Sequence, residues 1–179
     1  MQEATTAQKI SDGHMFLESP RWRDGCLYAA DIFGSAVLRW DANGEVRIAY
    51  PFAGEPSGLG WTADGDLLAF AMDRATVVRW DGEGFQTFAD LGPAVRTAND
   101  MIVDSRGIGY VGQIGWDWVA DPRIRSTDLL RVDADGSVSV AAAGLVFPNG
   151  MALSADERTL YVAETYSAII TAFDRDADG

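Results

Sequence analysis

The sequence predicts an all-β protein, a β-propeller of four-stranded antiparallel blades with about four blades in the chain. Three observations predict this fold. Four segments recur, and they close on dipeptides that are 40, 52 and 41 residues apart, namely Trp40-Asp41, Trp80-Asp81, Val132-Asp133 and Phe173-Asp174. Within each segment, short stretches alternate apolar with polar residues and are separated by turn-forming pairs such as Asp24-Gly25. Helical periodicity is weak throughout, so repeated small sheets around a central channel are the most economical arrangement.

The four units form a partial propeller over residues 1–179, with blades that begin near residues 18, 57, 99 and 149. The first unit is "ESPRWRDGCLYAADIFGSAVLRWDANGEVRIAY" and the second is "SGLGWTADGDLLAFAMDRATVVRWDGEGFQTFA". The third begins as "NDMIVDSRGIGYVGQ" and continues as "DLLRVDADGSVSVAA" after an insertion at 114–127. The fourth is "NGMALSADERTLYVAETYSAIITAFDRDADG", and we expect it to lack its outer strand.

Composition and charge narrow the class of protein. The 179 residues are 47% hydrophobic and 23% charged, which is typical of a globular chain. A net charge of −13 repels nucleic acid and anionic membrane surfaces and attracts cations. The N-terminal "MQEATTAQKI" lacks the features of a secretory signal, and no apolar run approaches the ~20 residues that span a bilayer. We therefore expect a cytoplasmic protein with neither nucleic acid nor membrane as a partner.

Cysteine chemistry is disfavoured by the residue counts. Cys26 is the single cysteine, so an internal disulfide is excluded and we expect a small buried side chain on a strand. A thiol nucleophile would need a histidine. The single histidine is His14, in "SDGHMFLESP", where a turn or surface position is expected.

One polar residue heads each repeated unit. The inner strands align on Trp22, Trp61, Val103 and Leu153. Four positions earlier, the equivalent head residues are Glu18, Ser57, Asn99 and Asn149. The inner strands of a propeller converge on its axis, so these side chains are expected around one opening.

Two interpretations of these head residues remain open. The hydroxyl and amide side chains also suit turn capping, but the carboxylate of Glu18 would need a cation or a cross-channel arginine to offset its desolvation. A carboxylate with amide carbonyls is a ligand set suited to Ca²⁺, Mg²⁺ or Mn²⁺. Turn capping and a metal site are both consistent with the pattern.

Several motifs in fixed order resemble a known family. They are "LESPRW" with "DGCLYAAD", "PSGLGWTADGDLL", "NDMIVDSRGIGYVGQIG" and "GLVFPNGMALSADERTLYVAET". Together they resemble the gluconolactonase, regucalcin and luciferin-regenerating-enzyme-like proteins, which are six-bladed propellers. The resemblance runs from about Gly13 to the C-terminus and covers roughly the first two-thirds of a family member.

The resemblance implies one divalent cation at the channel mouth, where a sugar lactone is activated for hydrolysis. Calcium is the expected ion, with Zn²⁺, Mg²⁺ or Mn²⁺ as alternatives. Glu18 of "ESPRW" looks like the carboxylate ligand and Asn149 of "FPNGM" like the amide ligand. Asn99 of "NDMIVD" is similar to the residue that faces the substrate. Arg96 resembles a substrate-binding arginine, although it lies three residues before the asparagine and not two.

The sequence departs from the family at its end. The family's third protein ligand, a Pro-Asp-Gly aspartate that also acts as the general base, belongs to a fifth blade, whereas this sequence ends at Gly179 in the fourth. The catalytic residue is therefore unknown within these residues. The missing blades are expected either from a longer chain or from another copy or polypeptide, and open blade faces invite self-association.

The expected function is metal-dependent hydrolysis of a sugar lactone (an aldonolactone) or a related lactone, with the missing C-terminal blades needed for activity. The alternative is a non-catalytic propeller that binds calcium or a partner protein. Asp100 is expected to orient Asn99 or its loop, and Asp104 to occupy an ordinary turn. Asp31 and Glu164 are expected to support their blades. In the insertion, Trp116, Asp117 and Trp118 either cover the opening or anchor a long loop.

Overall fold

The computed structural model describes residues 6–92, 95, 98–117 and 120–179, which form fifteen strands in four blades. Blade 1 contains β1 (Leu17–Arg23), β2 (Cys26–Asp31), β3 (Ala36–Trp40) and β4 (Val46–Pro51). Blade 2 contains β5 (Pro56–Trp61), β6 (Leu67–Ala71), β7 (Thr76–Trp80) and β8 (Phe85–Asp90). Blade 3 contains β9 (Ala98–Val103), β10 (Gly109–Gln113), β11 (Thr127–Val132) and β12 (Val138–Leu145). Blade 4 contains β13 (Pro148–Leu153), β14 (Thr159–Glu164) and β15 (Ile169–Asp174).

Each blade is an antiparallel sheet whose strands are paired in chain order. Blades 1 to 3 have four strands and blade 4 has three, so the predicted all-β propeller fold is confirmed and the fourth blade lacks its outer strand. No helix occurs in the described ranges, and among these residues no helix is long and apolar enough to cross a membrane. The insertion of the third unit lies between β10 and β11.

The aspartate of each closing Trp-Asp pair caps a turn. Asp41 Oδ1 accepts the backbone amides of Asn43 and Glu45 at 2.9 and 3.0 Å. Asp81 Oδ1 likewise accepts the amides of Glu83 and Gly84 at 2.9 and 2.8 Å. These amides would otherwise be unpaired in the turn that joins the third and fourth strands. The aspartate of the Trp-Asp dipeptide therefore has a structural role in these two hairpins.

Apolar side chains pack each blade against the next. Val37 of blade 1 packs with Leu59 of blade 2, and Phe70 of blade 2 packs in one cluster with Met101 of blade 3. The contact between blades 3 and 4 is a third cluster, formed by Ile108, Tyr110, Leu129, Leu145, Met151, Leu160 and Val162. Each fully buried aliphatic side chain of this size contributes about 1.5–3 kcal/mol. Stability therefore depends on contacts between sheets more than on any single sheet.

Two glycines let strands of neighbouring blades approach each other closely. A Cβ atom on Gly58 of β5 would collide with the backbone nitrogen of Met101 in β9. A Cβ atom on Gly112 of β10 would collide with the carbonyl oxygen of Pro148 in β13. The absence of a side chain at both positions lets β5 approach β9 and lets β10 approach β13.

A buried ion pair joins blades 3 and 4. Asp104 has the predicted turn role, because its Oδ1 accepts the amides of Arg106 and Ile108 at 2.9 and 2.8 Å. In addition, its Oδ2 accepts a hydrogen bond from Arg175 Nη2 at 2.5 Å. The side chains of Asp104 and Arg175 are 0% and 4% exposed. Arg175 Nε also donates to the hydroxyl of Tyr110 at 3.0 Å, so the guanidinium is held between the two blades.

The outward faces of the two terminal blades are apolar. On blade 1, Trp22 is 72% exposed, while the face is partly covered where His14 packs edge-on against Trp40 at 5.4 Å. On blade 4, Ile170 is 72% exposed and lies on the same face as Tyr161. Cys26 is buried as expected. The interior blades have both faces covered, whereas these two faces do not pack against another blade among the described residues.

Candidate functional site

Every inner strand carries a β-bulge at its head. The register shifts lie between Glu18 and Arg21 in β1, Pro56 and Leu59 in β5, Ala98 and Met101 in β9, and Pro148 and Met151 in β13. Each bulge inserts one extra residue and re-aims the side chains at that point. The bulged pairs are Ser19-Pro20, Ser57-Gly58, Asn99-Asp100 and Asn149-Gly150. A repeated device thus gathers polar side chains at one end of the propeller.

The register corrects the repeat alignment by one residue in blade 1. Ser19, and not Glu18, occupies the bulge position of Ser57, Asn99 and Asn149. The alignment on tryptophans fails because Trp22 lies three residues after the bulge residue of β1, whereas Trp61 lies four residues after the bulge residue of β5. Glu18 lies one residue earlier, immediately before the bulge.

The bulge residues of three blades contact each other directly. Asn99 is 8% exposed, and its Nδ2 donates a hydrogen bond to Asn149 Oδ1 at 2.9 Å. The hydroxyl of Ser57 donates to the carbonyl oxygen of Asn99. Asn149 Nδ2 donates to the hydroxyl of Thr165 at 3.3 Å. The amide oxygen Oδ1 of Asn99 accepts no hydrogen bond from the described residues, so it is available as a ligand or acceptor.

Glu18 lines a small apolar cavity formed by blade 1 and the segment that precedes it. The cavity measures about 180 Å³, and its walls include Leu17, Ala29 and Trp40. Burial raises the pKa of the Glu18 carboxyl above its ordinary value, and the negative charge of Asp100 raises it further, against a smaller lowering by the neighbouring backbone amide. No hydrogen bond connects Glu18 with either bulge asparagine among the residues described.

An arginine, one of the two partners expected for Glu18, lies at the strand heads. It pairs with Asp100 and not with Glu18. Arg21 Nη2 lies 2.8 Å from Asp100 Oδ1, which also accepts the hydroxyl of Ser19 at 2.6 Å and the amide of Met101 at 2.8 Å. Asp100 is thus fixed to blade 1, in keeping with its predicted role in orienting the Asn99 loop. Arg21 and Ser19 are contacts that the sequence reasoning missed, although both lie beside Glu18 in "ESPRW".

Other predicted residues have structural roles or fall outside the described residues. Arg96 and Trp118 lie outside them. Trp116 is buried against Tyr166 and Phe147, with ring centroids 5.5 and 6.4 Å away, so it anchors the insertion.

Two carboxylates at the ends of second strands hold loops, as predicted. Asp31 accepts the amide of Phe16 at 2.9 Å. Glu164 accepts the amide of Val146 at 2.7 Å and the hydroxyl of Thr171 at 2.6 Å.

The donor chemistry at the strand heads fits a hard dication. Glu18 provides a carboxylate that is not paired with a basic side chain in the described part of the chain, and Asn99 and Asn149 provide amide oxygens. Oxygen donors of this kind are the ligands that Ca²⁺ prefers. A cluster of three or more histidine, cysteine, aspartate or glutamate side chains suited to a metal is absent from residues 6–92, 95, 98–117 and 120–179. A site here would therefore combine one carboxylate with amides.

The chain matches one family model and is similar to known proteins. Residues 16–179 match the family model described as the SMP-30/Gluconolactonase/LRE-like region. The chain is 32% identical over 151 residues to the pentonolactonase XacC of Haloferax volcanii, covering 83% of this chain and 49% of that protein. It is 28% identical over 174 residues to regucalcin of Gallus gallus, covering 93% of this chain and 57% of the relative. The chain thus spans about half of the length of the curated relatives it matches.

Solved structures agree on the fold. A gluconolactonase from Xanthomonas campestris superposes with a TM-score of 0.75 at 28% identity, covering 93% of this chain and 61% of that chain. A calcium-binding regucalcin from Agrobacterium tumefaciens superposes with a TM-score of 0.74 at 18% identity, covering 92% and 55%. At that lower identity the likeness concerns the propeller fold alone.

Proposed function

Because the chain belongs to the SMP-30/gluconolactonase/LRE-like family, we propose that it provides part of the site for metal-dependent hydrolysis of a sugar lactone. Relatives named as a pentonolactonase and a gluconolactonase support the lactone as the substrate class. A relative named regucalcin supports a divalent cation, with Ca²⁺ as the proposed ion. The activity is proposed for a protein that also has the remaining blades.

The observation that carries this proposal is the meeting of oxygen donors at the strand heads. Asn99 and Asn149 come from different blades and are 50 residues apart in sequence, yet their amides are in direct hydrogen bond. Glu18 directly precedes Ser19, whose hydroxyl donates a hydrogen bond to Asp100 Oδ1, next to Asn99, at 2.6 Å. Structural capping alone does not require a desolvated carboxylate here, whereas a cation site does.

Each residue has a defined task in the proposed reaction. A bound dication would supply Lewis-acid polarisation of the lactone carbonyl. Glu18 and Asn149 would hold it, and Asn99 would orient the substrate through its amide. Asp100 and Glu164 are engaged in hydrogen bonds, so neither is assigned as the general base. We assign that role to the fifth-blade aspartate that the family resemblance places after residue 179.

The test is lactone hydrolysis with and without added blades. Residues 1–179 alone, and an extended protein in which the remaining blades are supplied, are assayed with an aldonolactone by proton release, with chelator and Ca²⁺ add-back. The extended protein should hydrolyse the lactone in a cation-dependent manner, and residues 1–179 alone should be slower by on the order of 10²–10⁴-fold because they lack the base.

Two outcomes would redirect the assignment. Cation binding by the extended protein without hydrolysis would support the alternative, a non-catalytic cation-binding propeller. Robust cation-dependent hydrolysis by a monomer of residues 1–179 would show that the base lies within them, and Asp100 would be the first candidate.

We also propose that residues 1–179 on their own self-associate through the open faces of blades 1 and 4. These faces expose apolar side chains such as Trp22 and Ile170. Light scattering coupled to gel filtration should show a mass that rises with concentration. Ile170→Asp should lower that mass, and Val140→Asp, at an exposed position on the outer strand of blade 3, should leave it unchanged. Equal masses for both variants and the unmodified chain would refute the role of the open face.

A further inference from the structure

Arg21 is the most heavily engaged side chain near the candidate site. Its Nε donates to the carbonyl of Leu59 in blade 2 at 3.1 Å, and its Nη1 donates to the carbonyl of Pro20 at 2.9 Å. Its Nη2 donates to Asp100 Oδ1 at 2.8 Å and to the carbonyl of Met101 in blade 3 at 2.5 Å. One guanidinium with a 17% exposed side chain therefore connects blades 1, 2 and 3.

Asp100 is bound on one oxygen only. Arg21, Ser19 and the Met101 amide all donate to Oδ1. Oδ2 receives no donor from the part of the chain that the structure describes. Asp100 and Arg21 also line an open cavity of about 390 Å³ next to Gly150, which follows Asn149. A small ion in this cavity, which also borders Tyr161 and Ile170 on the open face of blade 4, can therefore reach the carboxylate.

The charge balance at this end of the propeller depends on that pair. Glu18 and Asp100 are close enough to interact electrostatically, and both belong to the strand heads that carry the oxygen donors. Two free carboxylates would attract a dication much more strongly than one, since the number of charged ligands sets the affinity of such sites. The guanidinium of Arg21 offsets one of the two.

On the basis of the proposed function, we propose that Arg21 is an internal counter-ion that withholds Asp100 from the cation and so limits the affinity of the site. The same bonds fix the Asp100 loop and, through it, the neighbouring Asn99. Arg21 is thus a positioning residue, and Glu18 stays a carboxylate that no basic side chain neutralises among the described residues.

An electrostatic role and a merely structural role predict opposite signs. If Arg21 only holds the blades together, then removing it loosens the site and weakens cation binding. If Arg21 is the counter-ion, Arg21→Met removes a nearby positive charge and frees a carboxylate, so cation binding strengthens. Asp100→Asn leaves the guanidinium uncompensated beside the site, so cation binding weakens.

The test is calorimetric titration of residues 1–179 with Ca²⁺. Arg21→Met should bind about tenfold more tightly than the unmodified chain, and Asp100→Asn about tenfold more weakly. The double variant, which removes both charges, should return near the original affinity. Arg21→Lys keeps the charge and should also stay near it. The control is Arg23→Met, two residues along β1, where the arginine pairs with the exposed Asp24, and no change is expected.

The outcomes separate this inference from the proposed function. Weaker or unchanged Ca²⁺ binding by folded Arg21→Met overturns the inference. If that variant loses its β-sheet circular dichroism, the comparison of Asp100→Asn with the double variant decides: recovery in the double variant supports the inference, and equal affinities overturn it. If the unmodified chain binds no Ca²⁺, binding gained by Arg21→Met supports the counter-ion role, and no gain overturns it. The proposed function is judged separately, by lactone hydrolysis in the extended protein.

Discussion

Replacing Asp104 by asparagine is expected to lower the free energy of unfolding by about 3–5 kcal/mol. The change leaves the buried guanidinium of Arg175 without its counter-charge, and breaking one side of a buried pair is far more costly than losing a surface pair. Because Arg175 belongs to blade 4 and Asp104 to blade 3, the loss should be felt at the contact between these blades. Urea unfolding monitored by circular dichroism measures it.

A matched control is available in the same blade. Asp133 pairs with Arg131 at 2.6 Å, but both side chains are partly exposed, so Asp133→Asn should cost less than about 1 kcal/mol. The double variant Asp104→Asn with Arg175→Met should recover part of the loss, because it removes the orphaned charge. Similar small losses for Asp104→Asn and Asp133→Asn would show that the pair between blades does not stabilise the fold.

The same carboxylate gives stability a defined dependence on pH. Burial alone would raise the pKa of Asp104, but the Ile108 amide and the Arg175 guanidinium lower it more, so its folded pKa lies below the ordinary value. Its contribution is therefore fully present above the unfolded pKa of about 3.9 and is lost as the pH falls through the lowered folded pKa. The difference in unfolding free energy between the unmodified chain and Asp104→Asn should shrink in that acidic range.

Most of the fold could be predicted from the repeated local sequence. Turn-capping aspartates such as Asp41 and Asp81 act through amides two to four residues away, so their pattern is readable along the chain. The pairing of Asn99 with Asn149 was also accessible, because equivalent positions of a propeller must face one axis. Local chemistry and symmetry together sufficed for these features.

Contacts that depend on a single long-range partner could not be predicted from the repeat. The partners of Arg21 lie 38, 79 and 80 residues away, and nothing in the repeat marks a side chain that appears in one blade only. The one-residue error at Glu18 has a similar cause. Trp22 and Trp61 occupy different positions of their inner strands, and only the pairing with the second strand reveals this difference.

Glu18→Gln is expected to weaken Ca²⁺ binding by residues 1–179 at least tenfold and to abolish cation-dependent lactone hydrolysis by the extended protein. Glutamine keeps the shape of the side chain but removes the negative charge of the proposed carboxylate ligand. The affinity of an oxygen-donor site for a dication falls steeply when a charged ligand is lost. Calcium titration and the proton-release assay measure the two effects separately.

The dependence on pH provides a second signature of Glu18. Burial and the charge of Asp100 raise the pKa of its carboxyl, so protons should compete with Ca²⁺ at a higher pH than for an ordinary glutamate. Affinity should therefore fall on acidification, and Glu18→Gln should remove that fall. Glu55→Gln is the control, since this exposed carboxylate directly precedes β5 at the same end of the propeller. Equal loss of Ca²⁺ binding in both variants would mean that the ion responds to the overall negative charge and that Glu18 is not a ligand.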